Sequence, residues 1–234
     1  MRRLRPYAFV VLLFALILGV AAYYAASWNG FYPKSIRVQG ERVVPASQIV
    51  AQAGIAMHAN IWLQNARAAE KRVESIPYIA TARVRRSLPA NVVIAVTERV
   101  PAVVIETPEQ RVLADDDLRV LEDAPPQTTL PVIASDASLP RPGGFVATPD
   151  IQRLHNDERT LAAAHVIVRR VELDKFGDLT AVMPGGAKLL LGDDQDLNQK
   201  SVLIAPILSQ VASQGRRIAA LDLRAPKTPV VRFR

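Results

Sequence analysis

The 234-residue sequence predicts an α+β protein tied to a membrane. It reads as an N-terminal transmembrane helix, a small βααββ domain, and a mixed β-sheet domain with flanking helices. Three observations predict this. Residues 7–26 form an uncharged, almost wholly apolar run. Residues 31–99 show strand, helix, helix, strand, strand periodicity. Beyond Pro101, short alternating runs dominate, with two helical patterns among them. The expected boundaries are 1–6 for a cytoplasmic tail, 7–27 for the membrane helix, 31–100 for the βααββ domain and 101–234 for the β domain.

The anchor comes first. Tyr7, Phe9, Leu12, Leu13, Phe14, Leu16, Ile17, Leu18 and Val20 give it bulk. About twenty helical residues at about 1.5 Å each span roughly 30 Å, the thickness of a bilayer's hydrocarbon core. A helix also satisfies every backbone polar group within itself, as lipid demands. Arg2, Arg3 and Arg5 precede the run, and no charge follows it until Lys34. The positive-inside rule then leaves the N-terminus cytoplasmic and exports the bulk, a single-pass type II arrangement in the cell membrane. The competing reading is a cleaved signal peptide. The apolar run is longer than such a segment needs, and Ala25-Ala26-Ser27 is a poor cleavage site.

In the βααββ domain, Ile36-Arg37-Val38-Gln39 alternates as a strand and Gly40-Glu41 turns it. Residues 45–53 suit a short helix stopped by Gly54. Asn65 suits the N-cap of a second helix carrying Ala66, Ala69, Val73 and Ile76 at helical spacing, with Pro77 ending it. Residues 78–85 and 92–97 alternate again, about a turn at Ser87-Leu88-Pro89-Ala90-Asn91.

Strands are expected at 103–105, 111–113, 118–121 and 131–133, then a helix from Thr148-Pro149-Asp150 to about His165. Strands at 166–173, 179–183 and 187–191 follow, the last two joined by Pro184-Gly185-Gly186. Asp196 is expected to cap a helix reaching Ser213, with Val202, Ile204, Ala205, Leu208 and Val211 as its apolar face. Residues 218–223 and 230–233 close the sequence as strands.

Composition and spacing exclude much. The absence of cysteine rules out disulfides and thiolate sites. The net charge of +7 includes three N-terminal arginines, and no basic run of the nucleic-acid-binding kind remains. His58, His155 and His165 lack metal-ligand spacing. There is no Gly-x-Ser-x-Gly elbow and no phosphate loop. Asp194-Gln195-Asp196-Leu197-Asn198 opens like a calcium loop but lacks its glycine and distal glutamate. No catalytic residue, metal, cofactor or small-molecule substrate is therefore expected.

A set of motifs then points to a family. After the anchor come Ile36-Arg37-Val38-Gln39-Gly40, Val44-Pro45, Ile49, Gly54-Ile55 and Asn60-Ile61. The residues 76–84 follow as Ile-Pro-Tyr-Ile-Ala-Thr-Ala-Arg-Val, then Leu88-Pro89-Ala90-Asn91 and Glu98-Arg99-Val100-Pro101. Leu191-Gly192, Lys200 and Asp222-Leu223-Arg224 continue the set. Together these resemble the cell-division protein FtsQ/DivIB family, with its POTRA domain and β domain. Asp115-Asp116-Asp117 and Ala225-Pro226 depart from that pattern.

The resemblance implies a non-enzymatic divisome scaffold of the inner membrane at the division septum, linking early and late division proteins. It implies FtsB and FtsL, small coiled-coil division proteins, as partners, with other divisome membrane proteins. The alternative is a POTRA-bearing secretion or envelope-assembly factor, but such proteins continue into a β-barrel for which about 130 residues leave no room. The physical expectation for binding is strand addition at Val230-Val231-Arg232-Phe233. The resemblance implies that FtsB binds there and aligns Phe233 with a position often aromatic in relatives, an aromatic anchor, while Arg224 is placed to face an acidic partner group. The alternative is that Val231 and Phe233 close the core and Arg224 is a solvated end. Arg83, Arg85 and Arg86 form a basic strand face, open to solvent, a partner or anionic lipid.

Overall fold

The structure, a computed structural model, describes residues 5–234, with side chains from Tyr7 onward. Arg2, Arg3 and the Arg5 side chain lie outside the described residues, and with them most of the expected cytoplasmic tail. The chain divides into two compact units, residues 1–99 and 100–234.

Helix α1 (Arg5–Ser27) runs unbroken through the apolar segment. Its side chains from Tyr7 to Val20 are exposed, and none of the Tyr7–Ser27 span is buried by protein. A core helix would be covered. A helix apolar on every face and covered on none is suited to lipid.

In the first unit, β1 (Ile36–Gln39), α2 (Ala46–Ala53), α3 (Ala66–Glu74), β2 (Ile79–Ser87) and β3 (Asn91–Glu98) follow in the expected order. The sheet order is β1-β3-β2, with β1 parallel and β2 antiparallel to β3. Gly54, at φ 58°, is the left-handed stop of α2. Asn65 caps α3 by accepting from the Ala68 N–H at 3.1 Å. Helix α3 ends at Glu74, two residues short of the expected Ile76. Gly40 turns β1 at φ +94°, where a Cβ would collide with the Val96 carbonyl oxygen. Only glycine fits there.

The Glu98-Arg99 motif acquires a role. The Glu98 carboxylate accepts from the Val43 and Val44 N–H groups at 2.8 and 2.9 Å, tying the β1–α2 loop to the end of β3. Burial pushes its pKa up, but these backbone bonds outweigh it and hold the carboxyl below its usual value.

The second unit holds β4 (Val103–Glu106), β5 (Arg111–Ala114), β6 (Val120–Asp123), β7 (Val132–Ala134), α4 (Pro149–Ala163), β8 (Arg170–Leu173), β9 (Leu179–Val182), β10 (Lys188–Gly192), α5 (Leu197–Ser213), β11 (Ile218–Asp222) and β12 (Val230–Phe233). They form one nine-stranded sheet, ordered β12-β11-β10-β9-β8-β7-β4-β5-β6. The pairs β4–β7, β7–β8 and β10–β11 are parallel. Helices α4 and α5 are the crossovers that β7–β8 and β10–β11 need. Ile133, Val171, Leu189 and Leu221 of the sheet pack with Ile151, Leu154, Leu161 and Ile204 of these helices in one core.

Several expectations shift here. Strand β6 starts at Val120 because Leu118 takes φ 59° and the Asp115 carboxylate accepts from the Asp117 and Arg119 N–H groups, which turns residues 115–119 into a loop. Val166 and Val168 are buried but lie before β8 rather than within it. Thr148 and Asp196 occupy N-cap positions without a side-chain capping bond. Asp196 sits at φ 57°, and its backbone carbonyl accepts from Gln199 and Lys200 instead. The inward face of α5 carries Leu197, Lys200, Ser201, Ile204 and Val211, whereas Val202 and Ala205 face out.

Asp157 of α4 is 5% exposed, and its Oδ2 lacks a hydrogen bond, with Arg153 Nε at 3.9 Å. Burial pushes its carboxyl up to about 6; Arg153 opposes this and Asp194 adds to it. A pKa above the unfolded value means the folded state holds the proton longer. Its favourable contribution is present below about pH 4 and is lost as pH rises through about 6. Asp157→Asn is therefore expected to stabilise the chain by about 2 kcal/mol at pH 7 and by little at pH 4, read by urea unfolding in detergent at both pH values.

Candidate partner-binding edge

The nine-stranded sheet ends in β12 on one side and β6 on the other. The two edges are treated differently. At β6 the segment 143–146 pairs with the start of the strand and the residues just before it. The Val120 N–H donates to Gly144 O at 2.9 Å, the Gly143 N–H donates to Val120 O at 2.7 Å, and Arg119 bridges Phe145. At β12, among the described residues, no strand pairs beyond it. An edge left this way is a template for an incoming strand.

Strand β12 is set by its antiparallel pairing with β11, Leu221 opposite Val231 and Asp222 opposite Val230, after a turn in which the Thr228 N–H donates to Ala225 O. Two bonds fix which backbone groups face outward. The Leu223 N–H donates to Leu190 O of β10 at 2.8 Å, so Asp222 and Ala220 turn theirs toward β12. The Arg234 N–H donates to Arg217 O at 3.0 Å. By strand alternation Val230 and Arg232 bond inward, and Val231 and Phe233 present N–H and C=O at the open edge.

The side chains divide in the same period. Val231 packs against the core and Phe233 is half-buried, its ring 3.3 Å from the Arg216 guanidinium carbon. Val230 and Arg232 are exposed on the opposite face. Arg224 is already engaged within the chain: its Nη2 donates to Asp222 Oδ2 at 2.6 Å and its Nε to Oδ1 at 3.0 Å. These bonds hold the Asp222 carboxyl below its usual pKa and raise that of Arg224.

The periodicity of β12 alone does not show the groove beside it. This groove, of about 390 Å³, has Met183, Leu208, Val211 and Ile218 as apolar walls and Arg216 and Arg234 at its rim. Arg234 reaches across to Gly185 O at 2.8 Å. Residues 214–234 hold six cations (Arg216, Arg217, Arg224, Lys227, Arg232 and Arg234) against one acid, Asp222. Arg216-Arg217 is the signal in the sequence for this cationic end; the position of Arg216 over Phe233 has no such signal.

Residues 31–99 match the family model described as "POTRA domain, FtsQ-type". Similarity to proteins named "Cell division protein FtsQ" extends over most of the chain. The Mycolicibacterium smegmatis protein is 25% identical across 97% of this chain, the Corynebacterium glutamicum protein 24% across 86%, and the Xanthomonas campestris protein 26% across 81%. The chain thus carries an FtsQ-type POTRA domain and is similar over most of its length to FtsQ proteins. The FtsQ-type POTRA domain lies within the first compact unit, and the sheet ending in β12 lies in the second. The chain spans 64% of the Mycolicibacterium relative, 88% of the Corynebacterium relative and 65% of the Xanthomonas relative.

Proposed function

We propose that this chain is an FtsQ-family member and a non-catalytic scaffold of the bacterial divisome. Helix α1 anchors it in the cell membrane with the N-terminus cytoplasmic, and the β12 edge takes up a strand from FtsB, itself bound to FtsL. The single observation that carries this reading is the asymmetry of the sheet, capped at the start of β6 and, among the described residues, open at β12. Strand addition draws affinity from the backbone groups of Val231 and Phe233 and selectivity from alternate side chains. The cationic surround favours an acidic partner segment and speeds encounter. Arg224, paired with Asp222, presents part of this surface as a held ion pair.

A fluorescent fusion of the full chain is expected to concentrate at midcell in dividing cells. The same fusion lacking residues 230–234 is expected to lose co-purification with FtsB. Uniform envelope fluorescence would count against the division role, and undiminished co-purification against the β12 edge.

A further inference from the structure

The end of α1 is bolted to a loop of the POTRA unit. The Asn60 side chain, 8% exposed, donates from Nδ2 to the Ala26 carbonyl in the last turn of the helix at 3.1 Å. Its Oδ1 accepts from the Trp62 N–H at 2.9 Å. One residue on, the Ile61 N–H donates to Phe31 O at 3.0 Å. Two segments far apart in sequence thus share one level. A carbonyl in the last turn of a helix needs a partner from outside it, and Asn60 supplies one.

This level has a physical meaning. The span Tyr7–Ser27 has 21 residues. At about 1.5 Å per residue it matches the roughly 30 Å hydrocarbon core, which places Ala26 at its boundary. Asn60 then lies at the boundary too, and the side chains around it meet headgroups rather than bulk water.

Those side chains suit that setting. Met57, Trp62, Leu63 and Leu88 are exposed, Leu63 by 72% and Leu88 by 71%. Trp62 is fixed by donating Nε1 to Pro89 O at 3.1 Å, which draws the Leu88 turn alongside. The Arg86 guanidinium lies 5.4 Å from the Trp62 ring centre. Residues 54–69 and 83–97 contain Arg67, Arg83, Arg85 and Arg86 and not one Asp or Glu. Apolar and indole groups beside cations match the acyl–headgroup boundary, and the bordering acid Glu70 is held by the Val84 N–H at 2.8 Å.

We propose that Met57, Trp62, Leu63 and Leu88 form a membrane-docking wedge of the POTRA unit, seated in the bilayer interface beside the exit point of α1, with the flanking arginines on lipid phosphates. This rests on the reading of α1 as a membrane-spanning anchor. The wedge gives the domain a second attachment, so the unit lies on the bilayer rather than swinging from a tether.

The chain contains two tryptophans, which makes the test direct. The full chain is reconstituted in vesicles containing lipids brominated near the headgroup end of the acyl chain, with iodide as the aqueous quencher. In the Trp28→Phe variant only Trp62 reports; in Trp62→Phe only Trp28 does. Trp62 is expected to be quenched by bromolipid within about twofold of Trp28 and shielded from iodide. Leu63→Asp, at an exposed position that leaves the fold intact by circular dichroism, is expected to lower Trp62 quenching at least about twofold. Trp28 quenched with Trp62 open to iodide overturns the wedge and leaves the anchor standing. Neither quenched overturns both. Undiminished Trp62 quenching in Leu63→Asp also overturns the wedge.

Discussion

Val231→Pro is expected to abolish capture of the FtsB segment while the β domain stays folded. The Val231 N–H faces the open edge, so the substitution removes a donor that an incoming strand needs and sets a ring in its path. The inward bonds of β12 come from Val230, Arg232 and Arg234 and are kept. Proline is tolerated in an edge strand when its missing N–H points away from the sheet. The residue before it, Val230, is already extended, as proline requires. A loss of at least about a hundredfold, near 3 kcal/mol, is expected in titration of the detergent-solubilised chain with an FtsB extracytoplasmic peptide. Val230→Ala removes only an exposed side chain and is expected to change affinity by less than about threefold. Equal affinity of Val231→Pro and the parent chain would exclude strand addition at β12.

Lys200→Met is expected to destabilise the β domain by about 4 kcal/mol, more than most single substitutions cost a folded protein. Lys200 is 3% exposed, and its ammonium spends three donors locally: Leu191 O at 2.8 Å, Asp193 O at 2.9 Å and Asp193 Oδ1 at 3.1 Å. Methionine fills the stem but strands two carbonyls. The Asp193 side chain is exposed and rehydrates, so the loss is less than that of an ion pair buried on both sides. The bonds close the turn from β10 into α5, the crossover that delivers β11 and therefore β12. A fall in midpoint temperature of more than about 10 °C by circular dichroism is expected. A fall in FtsB affinity beyond the fraction unfolded is expected with it. An unchanged midpoint would show that the turn closes without the lysine.

Lys200 also shows why part of the chain is illegible in its sequence. Hydrophobic periodicity sends a lysine outward and draws the apolar face of α5 through Val202 and Ala205 instead. The buried amine is satisfied by backbone carbonyls of a preceding turn, and no pattern within the helix records that. The side-chain caps expected at Thr148 and Asp196 do not form for a related reason. The residue types are suited, but Asp196 turns left-handed, and its backbone carbonyl takes the bonds expected of the side chain. Asn65 and Gly54 are legible because a cap and a left-handed stop are local requirements. Glu98 lies between these cases: its place in the motif is visible, its grip on Val43 and Val44 is not.

By itself the sequence determined the elements: an apolar span of bilayer length, a βααββ unit, a strand-rich remainder with two helices, and the residues that start and stop most of them. These depend on charge, side-chain period and backbone freedom within a few positions. Only the tertiary structure decided which strand lies at an edge, that segment 143–146 caps the start of β6 while β12, among the described residues, stays open, and that Asn60 meets Ala26 at the end of the anchor. Each of these pairs backbone groups many residues apart. Because every backbone carries the same donors and acceptors, the sequence of side chains does not say in advance which of them will be left unpaired.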